Sequence, residues 1–264
     1  MSIKSVDNTT PNAIQQRHLI QSPGKNFFTD FKAAYARYEL PSTTASESSV
    51  SDPQNQTPSV AGIADVMGLT FSEMAAVRGT STQDQNAYAA ILNRAYSQGG
   101  MDDPVAFLNS LTKEEQGVVQ RAHLLVDPVE PSTMSKEGAY NLLLPDGYQV
   151  DFNHDGIQEV GAGKNITFPP LDAPEQVKQA WLTATKDMAE GDMMTYQLKM
   201  HFMLYGVDIN DQTGKALAPT DQIDSYRDGV DKFLAWLEYA KASIPAEQYA
   251  RDKAFFSDMK RLLI

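Results

Sequence analysis

Apolar residues recur through most of this chain at intervals of three and four, the spacing that lines one face of an α-helix. From Lys25 to Leu40 the stripe is Phe28, Phe31, Tyr35 and Tyr38, a short amphipathic helix that Pro41 stops. Thr70-Phe71-Ser72-Glu73 has the form of a capping box, in which hydroxyl and carboxylate take up free first-turn amides, and predicts a helix closed by Gly79. Thr82 to Gln98 presents Tyr88, Ile91, Leu92 and Ala95 on one side, and Gly99-Gly100 ends it. Thr112-Lys113-Glu114-Glu115 is a second capping box, ahead of Val118, Ala122 and Leu125, with Pro128 marking the exit. Ser135 to Leu144 reads as a further short helix. A long one opens at Asp172-Ala173-Pro174-Glu175 and carries Val177, Trp181, Ala184 and Met188, then Leu198, Phe202 and Tyr205 to Gly206, with Gly191 as the candidate break. Thr220 to about Ala242, and Ala246 onward, complete the helical set.

The rhythm changes between Tyr148 and Phe168, where Gly156, Gly161 and Gly163 interrupt short runs of Val, Ile and Phe; this reads as a hairpin and an extended segment. The predicted class is mainly α, a helical body with one small β-hairpin insert. Residues 1–24 are polar, and from Pro41 to about Val60 the chain is dense in Ser and Thr, with three prolines and no Lys or Arg. Such a stretch buries too little apolar area to offset the entropy of ordering it. The expected division is therefore a flexible N-terminal segment, residues 1–60, holding one amphipathic helix, and a mainly helical domain over 61–264.

Composition narrows the functional classes. Hydrophobic residues make up 42% of the chain, enough for a real core. Thirty-four acidic against 22 basic side chains give a net charge of −12, which repels phosphate backbones and anionic lipid and excludes nucleic acid as an expected partner. Cysteine is absent, removing disulfides, thiol catalysis and cysteine-bound zinc. The start, Met-Ser-Ile-Lys-Ser-Val-Asp-Asn, has no basic stretch leading into an apolar run, so no secretory signal is expected, and no run of about 18 apolar residues predicts a membrane span.

One short stretch carries chemistry. Asp151-Phe152-Asn153-His154-Asp155-Gly156-Ile157-Gln158-Glu159 sets hard oxygens at positions 1, 3, 5 and 9. Calcium takes six to eight oxygen ligands, and this alternation lets one tight loop supply them from one side. Gly156 permits the sharp turn, Ile157 offers its backbone carbonyl while its side chain faces the core, and His154 points outward. The predicted ligands of Ca2+ are Asp151, Asn153, Asp155, Ile157 and Glu159. Magnesium fits less well, since its small octahedral shell prefers fewer protein ligands. A full EF-hand loop would carry a bidentate Glu at position 12, where this chain has Ala162. The pattern more closely resembles the Asp-x-Asn-x-Asp-Gly-x-x-Asp calcium hairpins of the FG-GAP repeats in integrin-type β-propellers, with Val150 before it, Val160-Gly161-Ala162 after it, and Glu159 in place of the usual Asp. That resemblance implies one calcium held between two strands, with the ninth residue a direct ligand. It covers about a dozen residues and occurs once, so it implies the ion site and not a propeller.

Other candidates are weaker. Asp208-Ile209-Asn210-Asp211-Gln212-Thr213-Gly214 lacks a carboxylate at its fifth position and reads as a turn. Met188, Met193, Met194, Met200 and Met203 read as core. His18, His123, His154 and His201 lie far apart, and no His-Glu-x-x-His, Gly-x-Ser-x-Gly or phosphate-loop pattern occurs. The favoured reading is a non-catalytic calcium-binding interaction or structural protein that engages a protein partner through its N-terminal segment. The alternative is a polymer-acting hydrolase with a structural calcium, distinguished by a deep pocket of convergent carboxylates or a histidine. The expected location is the cytoplasm, or the exterior after export without a cleavable signal, as in the bacterial flagellar and type III substrates that the polar leader resembles.

Overall fold

The computed structural model describes residues 23–39, 62–206 and 216–264. The predicted leader and linker, and the Asp208 to Gly214 turn, lie outside the described residues. Among those described are eleven α-helices, one 3-10 turn and one two-stranded antiparallel hairpin, the mainly α architecture with a small β insert expected from periodicity. No described helix is long and apolar enough to cross a membrane. The chain forms two compact units: an amino unit of Gln21–Val150 with Glu159–Gly163, and a carboxy unit of Asp151–Gln158 with Lys164–Ile264.

The amino unit contains α1 (Phe27–Glu39), α2 (Ile63–Met67), α3 (Leu69–Arg78), α4 (Thr82–Ser97), α5 (Pro104–Ser110), α6 (Lys113–Ala122), a 3-10 turn at Pro131–Thr133 and α7 (Lys136–Asn141). Helix starts follow local chemistry. Ser81 caps α4 by accepting from the Asp84 amide at 3.1 Å, and Asp103 caps α5 with Pro104 in the first turn. At α6 both halves of the Thr112/Glu115 box form, at 3.2 and 2.8 Å. The box predicted at Thr70 does not open α3: the chain enters through Gly68, at φ +86°, because Ile63–Met67 is already helical and brings the start forward. Helix α1 packs on α2 and α4, burying Phe31 and Tyr35 with Met67, Phe71, Tyr88 and Leu92.

The carboxy unit is built on α8 (Glu175–Thr185), α9 (Glu190–Tyr205), α10 (Ile223–Ala240) and α11 (Ala246–Leu262). The predicted long helix breaks before Gly191, where Ala189 is extended at ψ 147°. Packing gives the reason. Trp181 of α8 and Tyr196 of α9 both lie against the Phe255 ring of α11, at centroid distances of 6.0 and 4.0 Å. On one straight helix those two residues would stand about 22 Å apart. Phe168, Val177, Met200, Tyr226, Val230 and Phe256 complete the core, while Trp236, beside Phe233, is half exposed. The methionines divide: Met200 is fully buried and Met194 is exposed.

The hairpin joins β1 (Ile157–Val160) to β2 (Gly163–Ile166). Gly161 takes φ +62° at the first of its two turn residues, a sign that two-residue hairpin loops favour. Ala162, where an EF-hand would place its last ligand, is the second residue of this turn, so the chain is reversing at that position.

Candidate metal centre

Asp151, Asn153 and Asp155 alternate along the loop that leads into β1, and their side-chain oxygens turn inward onto its backbone. Asp151 Oδ2 accepts from the Gly156 amide at 3.0 Å and Oδ1 from the Asp155 amide at 3.3 Å. Asn153 Oδ1 also accepts from the Asp155 amide, and its Nδ2 donates to Asp155 Oδ2 at 2.9 Å. Asp155 Oδ1 accepts from the Ile157 amide at 2.8 Å. Two consecutive turns make this possible: His154 at φ +56° and Gly156 at φ +73°. Asn and Asp side chains favour such backbone-bonding turns.

The electrostatics set Asp151 apart. Three buried aspartates in the described residues differ in what faces them. Asp146 meets both guanidinium nitrogens of Arg78, at 2.7 and 3.1 Å. Asp252 meets Lys199 at 2.5 Å. Asp151, 8% exposed, forms no ion pair with Lys or Arg among the described residues; it has loop amides and a second carboxylate nearby. Burial pushes its carboxyl above the ordinary value, and the Asp155 charge adds to the rise against the pull of the Gly156, His154 and Asp155 amides.

The remaining predicted ligands are placed differently. Ile157 is half-buried, and the fully covered neighbour is Gln158. A strand alternates faces, so only one of the two can point inward. Glu159 accepts from the Ser135 hydroxyl that caps α7, and its amide donates to Glu137 Oε1 at 3.0 Å. His154 is exposed, 3.9 Å from Asp172. Among the described residues no three carboxylates or imidazoles converge closely enough to hold an ion unaided; the predicted donor set adds an amide oxygen and a backbone carbonyl to its carboxylates.

Three residues that sequence reasoning missed bear on the loop. Asn141, fully buried, donates to the carbonyls of Val150 and Glu159 at 2.9 and 2.7 Å and accepts from the Val150 amide at 2.8 Å. One side chain thus ties together the residues that flank the loop. On α9, His201 and Tyr205 stack at 4.6 Å, and Gly156 sits directly against them. A Cβ there would stand 2.5 Å from the Tyr205 ring and 3.0 Å from His201 Nδ1. Burial lowers the His201 pKa while the Asp155 charge opposes this. Burial also raises the Tyr205 phenol, as do Asp151, Asp172 and Asp155. Their spacing of four was the available signal, since it puts both rings on one helical face; Asn141 left none.

A separate cavity of 460 Å³ is lined by α8, α9 and α11. Its buried carboxylate is Asp252, already held by Lys199, and Tyr196 beside it is pushed up to about 12 by burial and by Asp252. That is a satisfied ion pair. No protein-family model, curated protein or solved structure matches this chain.

Proposed function

We propose that this chain binds one calcium ion in the loop Asp151 to Glu159 and works as a non-catalytic interaction or structural protein. The ligands on this reading are the side chains of Asp151, Asn153 and Asp155, the carbonyl of Ile157 and the carboxylate of Glu159. The observation that supports it most is the buried Asp151 carboxylate. Each of the other two buried aspartates has a cation at 2.7 Å or less, whereas Asp151 has only amides and a like charge. A divalent ion is the partner that would offset both. The oxygen spacing and the turn at Gly156 agree with it.

An ion that binds the native chain alone stabilises it, by about 2.7 kcal/mol at one hundred times the dissociation constant. The melting temperature should rise with calcium, return with chelator, and stop responding in Asp155→Ala. A melt indifferent to calcium overturns the reading.

The partner on this reading is a protein engaged through the N-terminal segment, residues 1–60. Within that segment helix α1 buries Phe31 and Tyr35 in the amino unit. Calorimetry with and without residues 1–60, against a partner copurified from native cells, tests this assignment; equal affinity rejects it.

A further inference from the structure

Two buried polar atoms on α9 have no hydrogen-bond partner among the described residues: His201 Nδ1 and Tyr205 Oη. His201 is 6% exposed. Its Nδ1 lies 3.0 Å from the point where a Cβ on Gly156 would stand, so it is directed at the loop's tightest turn. Tyr205 covers the same glycine with its ring, and the two rings stack. Buried polar groups are seldom left without a partner, and those that are call for an occupant. The neighbouring Gly156 is bonded on both sides, its amide to Asp151 Oδ2 and its carbonyl to the Thr167 amide, so neither group is open to His201 or Tyr205.

Calcium seldom takes all its oxygens from protein; water commonly fills a position. A water whose lone pair faces the ion has two O–H bonds to give. A neutral imidazole with its proton on Nε2 accepts one at Nδ1, and a phenol oxygen accepts the other. We propose that His201 and Tyr205 are positioning residues of the calcium site, holding between them one water ligand of the bound ion on the α9 side of the loop. This rests on the calcium reading above. It adds that reading's ion side: the shell is closed by a helix more than 40 residues downstream of the loop, through solvent.

The test uses the full chain and three variants. Tyr205→Phe keeps the ring against Gly156 and removes only the oxygen. His201→Leu removes the acceptor, and His201→Asn returns a polar atom near the place of Nδ1. Calcium affinity by calorimetry should fall about tenfold or more in Tyr205→Phe and His201→Leu, with one site retained, and recover in His201→Asn. Terbium, used as the luminescent substitute for calcium, should bind the parent with emission excited through tyrosine, and that emission should drop in Tyr205→Phe. Far-ultraviolet circular dichroism confirms that each variant is folded. Parent binding that neither Tyr205→Phe nor His201→Leu alters overturns this proposal alone. A parent that binds neither calcium nor terbium overturns the calcium reading and this proposal with it.

Discussion

Each unit of this protein packs one tyrosine against one histidine, and the two pairs are finished differently. In the amino unit Tyr88 Oη lies 2.8 Å from His123 Nε2 and donates toward the carbonyls of Leu142 and Leu144, both at 3.0 Å. The phenol has one hydrogen to give, and the imidazole and the two carbonyls all lie within its reach. In the carboxy unit Tyr205 and His201 stack face to face, and neither Oη nor Nδ1 has a partner among the described residues. The same two residue types make a closed structural clasp in one place and an open polar wall beside an acidic loop in the other. Satisfaction of polar atoms separates them.

The contrast is most strongly tested at the loop. Gly156→Ala forces a side chain onto a positive φ and against the Tyr205 ring, which should cost about 3 kcal/mol in urea unfolding. An unchanged midpoint would mean that the loop is not seated on α9. Next come the two hydroxyl deletions, measured without metal. Tyr88→Phe removes the hydroxyl that His123 and the Leu142 and Leu144 carbonyls share, and should cost about 2 kcal/mol. Tyr205→Phe loses no bond and should stay within about 0.5 kcal/mol of the parent. Equal losses would erase the distinction between the pairs.

The smallest effect concerns acid. Burial lowers the pKa of His123 from its ordinary 6.5. Below that value the unfolded chain takes up a proton that the folded chain refuses, so stability falls as pH drops from about 6.5 toward the lowered value. Urea midpoints across that range should decline in the parent and decline less in His123→Gln. A parallel decline would place the titration elsewhere.

Much of the frame was legible from residue spacing, because helix stripes and caps are local. The Thr112/Glu115 box formed as written, while Thr70 failed because an unpredicted helix, Ile63–Met67, already occupied the approach. The break between α8 and α9 was misplaced at Gly191 because its cause is the shared Phe255 ring, a contact no local window contains. The acidic loop was legible as a pattern. Its surroundings were not: Asn141 acts across nine residues to Val150 and 18 to Glu159, and His201 and Tyr205 reach Gly156 only through tertiary packing.

The chain has two tryptophans, and both Trp181 and Trp236 belong to the carboxy unit. Trp181 is covered by Phe168 and Phe255, whereas Trp236 is half open to solvent. Indole fluorescence therefore watches one unit only. An emission scan against denaturant would trace the loss of the α8–α11 packing and stay dark to the amino unit, whose aromatic residues are phenylalanine and tyrosine. Two spectroscopists, one following indole emission and one following helical ellipticity, would record different midpoints for this protein wherever its units unfold apart.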